Sequence, residues 1–385
     1  MTSSTDFFLA DRLLTGDERN LRDRVRAFAE EHLRPVARDA WERGEFPGHL
    51  LPRLAELGIA GGSFDEHGHQ RISSVGFGLA MQELARVDSS FATFVTVQAG
   101  LVPVTLMTCG SPEQRERWLP RLARCETIGA FALTEPEHGS DAAALSTTAR
   151  REGDAYILDG TKRWIGNVSI GHLVIVWARA EDGVAGFLIE LPADGLRATP
   201  IAGKLAQRSV PQVELVLDGC RVPAENRLPT GGFRAVSNVL AQTRYNVAWH
   251  ALGEAIACYE AALSYAKQRQ QFGKPIAAFQ LVQEKLVHML GEITKNQLLL
   301  VQLGRLKDAG AMTPGMSALG KRSATAMARS VAMAARDVLG GNGILHDFEV
   351  MRHLCDLEAV YTYEGTYDIN TLIVGREITG LSAFS

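Results

Sequence analysis

The 385-residue chain has only five cysteines, Cys109, Cys125, Cys220, Cys258 and Cys355, with no C-x-x-C pair and no histidine at zinc-ligand spacing. That scarcity excludes a disulfide-stapled scaffold and a thiolate metal site, and predicts buried thiols in a reducing compartment. Basic charge is not in excess either: 40 Lys and Arg against 44 Asp and Glu leave a formal net charge of −4. A concentrated basic face for nucleic acid is therefore not expected. No run is read as approaching the ~18 apolar residues of a membrane span. The start, MTSSTDFFLADR, flanks a very short apolar patch with acidic residues, unlike a signal peptide. A G-x-G-x-x-G unit after an opening strand, a G-x-S-x-G elbow and a phosphate-binding loop are likewise not expected. These absences predict a cytoplasmic protein with no membrane, nucleic-acid or metal partner.

What is present is an ordinary globular composition, 46% hydrophobic and 22% charged, enough for a large core. At ~100–200 residues per domain, two or three units are expected. Up to about Arg124 apolar residues recur every three to five positions, as Leu21, Val25, Phe28 and Leu33 do, and paint one stripe on a helix. Ser111-Pro112 before EQRERWLPRLA is a capped helix start. From about Phe131 to Leu228 the texture turns to short β-rich runs, with Asp-Gly at 159, 182, 194 and 218. Asp-Gly supplies the positive φ of tight hairpin turns, so an antiparallel sheet is predicted. After Pro229-Thr230-Gly231-Gly232 long helical patterns return, one of them capped by Thr313-Pro314, and would pack as a bundle. The expected fold is mainly α with a central β domain, divided as 1–130, 131–230 and 231–385.

The tract Tyr363-Glu364-Gly365-Thr366-Tyr367-Asp368 sets one carboxylate beside a glycine in an otherwise apolar helical region. On a surface turn Glu364 would be a solvated side chain. Held partly buried, its pKa would rise from ~4 and it would be a stronger base that still ionises near neutral pH. Leu339-Gly340-Gly341-Asn342-Gly343 follows a helix and reads as a glycine-rich helix stop, and such a stop can lie against a ligand.

Four segments, in this order, resemble the acyl-CoA dehydrogenase family of flavoproteins over essentially the whole chain. They are the run from Leu133-Thr134-Glu135-Pro136 to Ser140-Asp141, Lys162-Arg163-Trp164-Ile165-Gly166-Asn167, Arg269-Gln270-Gln271-Phe272-Gly273, and the Gly340-Gly341 stop ahead of the Glu364 tract. The tail from Thr362 to Leu372 and the Arg-Trp-Ile-Gly-Asn run look most like glutaryl-CoA dehydrogenases and short-chain acyl-CoA oxidases. The resemblance implies a helical N-terminal domain, a β middle domain and a C-terminal four-helix bundle. It further implies FAD, an acyl-CoA substrate, a homotetramer built as a dimer of dimers, and electron-transferring flavoprotein as acceptor.

The family's roles fall on particular residues. Glu364 matches the base that takes the α-proton of the thioester while hydride leaves the β-carbon for flavin N5, the thioester oxygen being held by the base's own N–H and a ribityl hydroxyl. Phe131, Leu133 and Thr134 match positions touching the flavin ring. Trp164 matches the aromatic packed on it, against the alternative of a core tryptophan. Ser140 and Arg244 match CoA-site residues, and Tyr363 adjoins the base at the substrate. Arg269 and Phe272 match a pair reaching the FAD of a neighbouring subunit, where a guanidinium fork suits pyrophosphate. Gly340 and Gly341 let backbone approach that cofactor, and Thr366 and Asp368 meet its adenosine side.

Two departures stand out. Many dehydrogenases of the family have Thr or Ser where this chain has Gly166, and glutaryl-CoA dehydrogenases carry an arginine for the distal carboxylate where this chain has Ala92. A buried carboxylate without a partner is costly, so glutaryl-CoA is disfavoured. Some relatives place the base at the position of Thr243, which cannot do that work. The leading expectation is dehydrogenation of a short or branched acyl-CoA. The alternatives are a short-chain oxidase using O₂, a glutaryl-CoA dehydrogenase, a related flavin monooxygenase, which would lack the base, and a non-catalytic acyl-CoA-binding protein. The end, Ser382-Ala383-Phe384-Ser385, has no Ser-Lys-Leu-type signal and favours the flavoprotein acceptor over O₂.

Overall fold

The computed structural model describes residues 5–62 and 72–384, so the first four residues of the MTSSTDFFLADR start and the terminal Ser385 lie outside the described residues. The first helix, α1 (Gly16–Phe28), opens on a reciprocal cap: the Thr15 hydroxyl accepts the Glu18 N–H and the Glu18 carboxylate accepts the Thr15 N–H at 2.9 Å. Then come α2 (Arg34–Arg43), α3 (Leu51–Glu56), α4 (Ser74–Ala85), α5 (Ser89–Val95), α6 (Val102–Cys109) and α7 (Pro112–Ala123). α7 starts at the expected Ser-Pro, where Ser111 and Gln114 form a second reciprocal cap.

One expectation is overturned here. From Ser89 to Cys109 the chain forms a continuous 21-residue helical stretch that is long and apolar enough to cross a membrane by length and composition. Most of it is buried inside the molecule, and a helix enclosed by protein is apolar all round for the same reason as one enclosed by lipid. The interspersed Thr93, Thr96 and Gln98 disguise the run. Gln98 donates to the Leu122 and Thr127 carbonyls, both at 2.9 Å, and accepts the Gly129 N–H, which ties this helix to the first strand.

The strands are β1 (Gly129–Ala132), β2 (Thr148–Glu152), β3 (Ala155–Ile165), β4 (Leu173–Ala180), β5 (Gly183–Glu190), β6 (Leu196–Pro200) and β7 (Val213–Pro223). They form one sheet in the order β1-β4-β2-β3-β7-β6, with β5 paired to β4. The sheet is mixed, not antiparallel throughout: β1 runs parallel to β4, and β2 meets β4 in parallel at Thr148 and Arg179. A parallel pair is joined by a long connection, here the chain through β2 and β3, and leaves no local turn signal to read.

The Asp-Gly pairs also divide. Asp182-Gly183 makes the predicted β4–β5 hairpin, and Asp194-Gly195 lies in the turn before β6, with Gly195 at φ +74°. The other two sit inside β3 and β7, where the register breaks between Leu158 and Gly160 and the Gly219 N–H donates to Asp159 at 2.7 Å. Positive φ there makes a bulge that bends the sheet.

The last third holds α8 (Phe233–Gln268), the hairpin β8 (Gln270–Gln271) and β9 (Lys274–Pro275), then α9 (Gln280–Asp308), α10 (Pro314–Leu339), α11 (Val350–Thr362) and α12 (Tyr367–Thr379). One core joins α4 and α5 to the faces of α8, α9, α10 and α11, and a separate core fills the sheet. The bend between α11 and α12 is thereby pressed against α5, α8 and α10.

Candidate active site

That bend carries Glu364 at φ +57°, followed by Gly365 at φ +89°. A non-glycine residue in the left-handed region persists only where its surroundings hold it. Side chains from three helices do so. Arg244 Nε of α8 donates to the Glu364 carbonyl at 3.0 Å, Lys321 Nζ of α10 to the Tyr361 and Gly365 carbonyls at 2.9 and 2.8 Å, and Asn370 Nδ2 of α12 to the Gly365 and Thr366 carbonyls at 2.8 and 3.0 Å. The Thr366 hydroxyl caps α12 by accepting the Ile369 N–H at 3.1 Å. Arg244 is thus no surface arginine: it is 6% exposed.

The Glu364 carboxylate has two unlike oxygens. Oε2 accepts from the Thr243 hydroxyl at 3.0 Å, whereas Oε1 is buried and has no hydrogen-bond partner. Burial pushes the carboxyl up to about 7, against the opposing pull of Arg244, Thr243 and Lys321. Burial also drives Lys321 down to about 7 and lowers Arg244. The group is poised to gain or lose a proton near neutrality.

The Tyr363 hydroxyl lies 3.3 Å from Thr93 Oγ1, 3.4 Å from Gln207 Nε2 and 3.5 Å from His250 Nδ1. Behind it, Ser89 Oγ reaches His250 Nε2 at 2.8 Å and Glu254 Oε1 at 2.9 Å, and His353 Nδ1 stands 3.2 Å from Glu254 Oε2. This buried polar network escaped the sequence reading because its members are single residues far apart in the chain. Ala92 is wholly buried beside Phe91 and Phe94 and presents no open surface.

A second group of predicted positions gathers where β1 and β3 end. The Arg163 N–H donates to the Thr134 carbonyl at 2.8 Å, which sets Leu133-Thr134 beside Trp164. Trp164 is no core residue: it has φ +65° and is 49% exposed. Phe131 is half-buried and packs edge-on to Trp177, and Leu133 is buried. Underneath, Lys162 Nζ donates to the Leu133 carbonyl at 3.0 Å and to Glu135 Oε1 at 2.8 Å, and Glu135 also accepts the Ser146 and Thr147 N–H groups. This buried pair fixes the Leu133-Thr134 edge, and nothing in the sequence ties the two residues together, although each stands in one of the family-like segments. A Cβ added at Gly166 would first meet Val210 Cγ1 at 3.7 Å, so packing does not demand glycine there. Asn167 Nδ2 donates to the Gly129 carbonyl at 3.2 Å and lies 3.5 Å from the Phe94 carbonyl of α5, next to the Thr93 that meets Tyr363. Ser140 is exposed on the loop after β1.

A third group lies elsewhere. Arg269 and Phe272 occupy the hairpin after α8, with Phe272 93% exposed, and Asn342 Nδ2 bonds the Tyr265 hydroxyl at 3.0 Å to bring Gly340 and Gly341 to the same end. Between Arg244 and Arg269 stand 269 − 244 = 25 residue steps, almost all in α8, or ~37 Å at 1.5 Å per residue. Within one chain these residues cannot share a small ligand with Glu364. Asp368 is exposed on the first turn of α12.

Gly315, Gly320 and Lys321 do stand at G-x-x-x-x-G-K spacing, against the expectation of no phosphate loop. The run lies inside α10, Arg322 replaces the hydroxyl residue, and Lys321 Nζ is engaged by carbonyls. It is helix, not a loop of free N–H groups.

The residues present fit a large planar cofactor. An open indole stands beside the Leu133-Thr134 edge, and a Cβ at Gly341 would meet nothing within 4 Å, so the bareness of Gly341 has no cause inside the chain, whereas Gly340 at φ +57° is glycine for its own backbone. Family profiles described as "Acyl-CoA dehydrogenase, N-terminal domain", "middle domain" and "C-terminal domain" match residues 15–126, 130–220 and 230–379. The mouse mitochondrial short-chain specific acyl-CoA dehydrogenase is 32% identical over 366 residues, covering 93% of this chain and 89% of that protein. The crystal structure of glutaryl-CoA dehydrogenase from Mycobacterium smegmatis superposes with a TM-score of 0.97 at 41% identity, covering 99% of both chains. A structure of a glutaryl-CoA dehydrogenase from the same organism in complex with FADH2 gives 0.95 at 40%, covering 97% of both. Butyryl-CoA dehydrogenase from Megasphaera elsdenii gives 0.91 at 30%, covering 95% of this chain and 98% of that one. The chain belongs to the acyl-CoA dehydrogenase family, oxidoreductases that act on CH–CH donors and use FAD.

Proposed function

We propose that the protein dehydrogenates a short or branched saturated acyl-CoA to its 2-enoyl-CoA, with Glu364 as the base. The observation that carries this reading is the unpartnered, buried Oε1 of a carboxylate whose other oxygen is already held by Thr243. Oε1 takes the α-proton, and the electrons of the broken C–H bond become the second bond between the α- and β-carbons. FAD, when bound, accepts the hydride that leaves the β-carbon. With its pKa near 7, Glu364 is substantially ionised at neutral pH and still basic enough to accept the proton. Thr243, Arg244 and Lys321 keep the carboxylate ionised and aimed. Leu133, Thr134 and Trp164 would hold the flavin ring. Arg269, Gly340 and Gly341 would hold the phosphate end of FAD from a neighbouring subunit. Electron-transferring flavoprotein is the acceptor in this reading.

Glu364→Gln tests it. The amide keeps the shape of the side chain but takes no proton, so FAD content and acyl-CoA binding should persist while turnover falls ~10²–10⁴-fold. Flavin reduction by substrate near the parent rate would place the base elsewhere. Likeness to glutaryl-CoA dehydrogenase supports a second substrate reading. Against it, position 92 is a buried alanine, and the ammonium at the bend, Lys321, is engaged by two carbonyls. In an acyl-CoA panel butyryl- or isobutyryl-CoA should outperform glutaryl-CoA, and the reverse order would make glutaryl-CoA the substrate.

A further inference from the structure

One lysine touches the backbone on both sides of Glu364. Lys321 is fully buried, and its two hydrogen bonds go to carbonyls, one in the last turn of α11 and one just after Glu364. An ammonium buried among neutral acceptors is costly. An apolar side chain of the same length would fill the space at less cost if packing were its only task. A single nitrogen therefore spans the bend that keeps Glu364 at φ +57°.

The charged groups acting on the Glu364 carboxylate are Arg244 from α8 and Lys321 from α10. α5 brings the neutral Thr93 to this corner, α11 brings Tyr363, whose hydroxyl faces His250 of α8, and the Asp368 of α12 is exposed. Arg244 already spends its Nε on the Glu364 carbonyl.

We propose that Lys321 is a positioning residue for the catalytic base: clamped to the carbonyls of Tyr361 and Gly365, it fixes where the free Glu364 oxygen points and, while protonated, favours the ionised carboxylate. The proposal rests on the reading of Glu364 as base. Removing the charge should disfavour the ionised carboxylate, so the acidic limb of kcat/KM moves to higher pH. Releasing the clamp should cost turnover without loss of substrate binding, since small misplacement of a reacting group is expensive.

The test uses the holoenzyme with Lys321→Met, and Lys321→Gln, which retains a neutral donor, should the first not fold. Flavin content, melting temperature, KM, kcat and the pH profile are read for each. The expected result is retained flavin, KM within about threefold, kcat reduced ~10²-fold, and an acidic limb displaced upward by about one pH unit. A lower melting temperature with kcat and the limb unmoved would overturn the proposal and leave Lys321 a packing residue. If the parent enzyme has no acidic limb near neutrality and Glu364→Gln turns over normally, the base reading itself falls and this one with it. A limb that Glu364→Gln abolishes but Lys321→Met leaves in place sinks the lysine's role alone.

Discussion

At the scale of the residue, the site depends on making one carboxylate weakly acidic without leaving it unheld. Desolvation alone would protonate Glu364, and the opposing influences are a hydroxyl and two cations, each from a helix the bend packs against. Thr243 makes a clean test, because its hydroxyl reaches Oε2 while it also bonds the Val239 carbonyl of its own helix. Thr243→Val keeps shape and helix and removes a hydrogen bond to the ionised form. As the proposed base, Glu364 must be ionised to act, so parent kcat/KM should rise with pH through about 7 and level above it. In the valine variant the rise should move to higher pH by about one unit, the equivalent of a hydrogen bond to a charged group. Activity should therefore drop several-fold at pH 6.5 and hardly at all at pH 9. A loss uniform across pH would mean that the hydroxyl positions the carboxylate without tuning it.

At the scale of the element, what could be read in advance was local and what could not was paired at a distance. Ser111-Pro112 and Thr313-Pro314 mark helix starts because the cap bonds within its own first turn, and α7 and α10 begin there. Asp-Gly at 159 and 218 misled because a left-handed glycine serves a bulge as well as a hairpin, and only the strand opposite decides which. The Glu364 tract was visible as a motif, but its clamps were not: Arg244 and Lys321 come from two distant helices, and Asn370 of the adjoining α12 reaches back to the Gly365 carbonyl only through the bend. Lys321 did leave a trace: it shares the buried face of α10 with Ser317, Ala318, Ala324, Thr325 and Ala328, where a charge is out of place.

The Lys162–Glu135 pair under the Leu133-Thr134 edge left no such trace, and it makes the sharpest prediction at this scale. Lys162 has no exposed side-chain surface and Glu135 only 2%. Lys162→Met strips the cation from a buried carboxylate and should destabilise the protein by ~3–5 kcal/mol. Glu135→Gln with Lys162→Met should recover much of that loss. Thermal unfolding of the single and double variants reads the difference, and additive losses would show that the two charges are not coupled.

At the scale of the whole molecule, α8 separates the two ends of what would be one cofactor site. Arg244 lies by Glu364, and the hairpin with Arg269 and Phe272 projects from the far end, ~37 Å along the helix. Phe272 at 93% exposure, with Leu281 at 80%, Val287 at 69% and Ile378 at 78%, leaves large apolar side chains open on this helical part. If a second chain covers that surface, Arg269 and Phe272 of one subunit can reach the flavin site of another, and assembly and cofactor become linked: whatever binds only the assembled form stabilises it. Arg269→Ala should then lose FAD, and the apoprotein should dissociate at concentrations where the parent stays assembled. Phe272→Ala should weaken assembly first and flavin retention as its consequence. Light scattering and the flavin-to-protein absorbance ratio, followed together on dilution, check both variants. A monomer that keeps a full complement of flavin would mean that the hairpin serves neither, and that one chain holds its cofactor by itself.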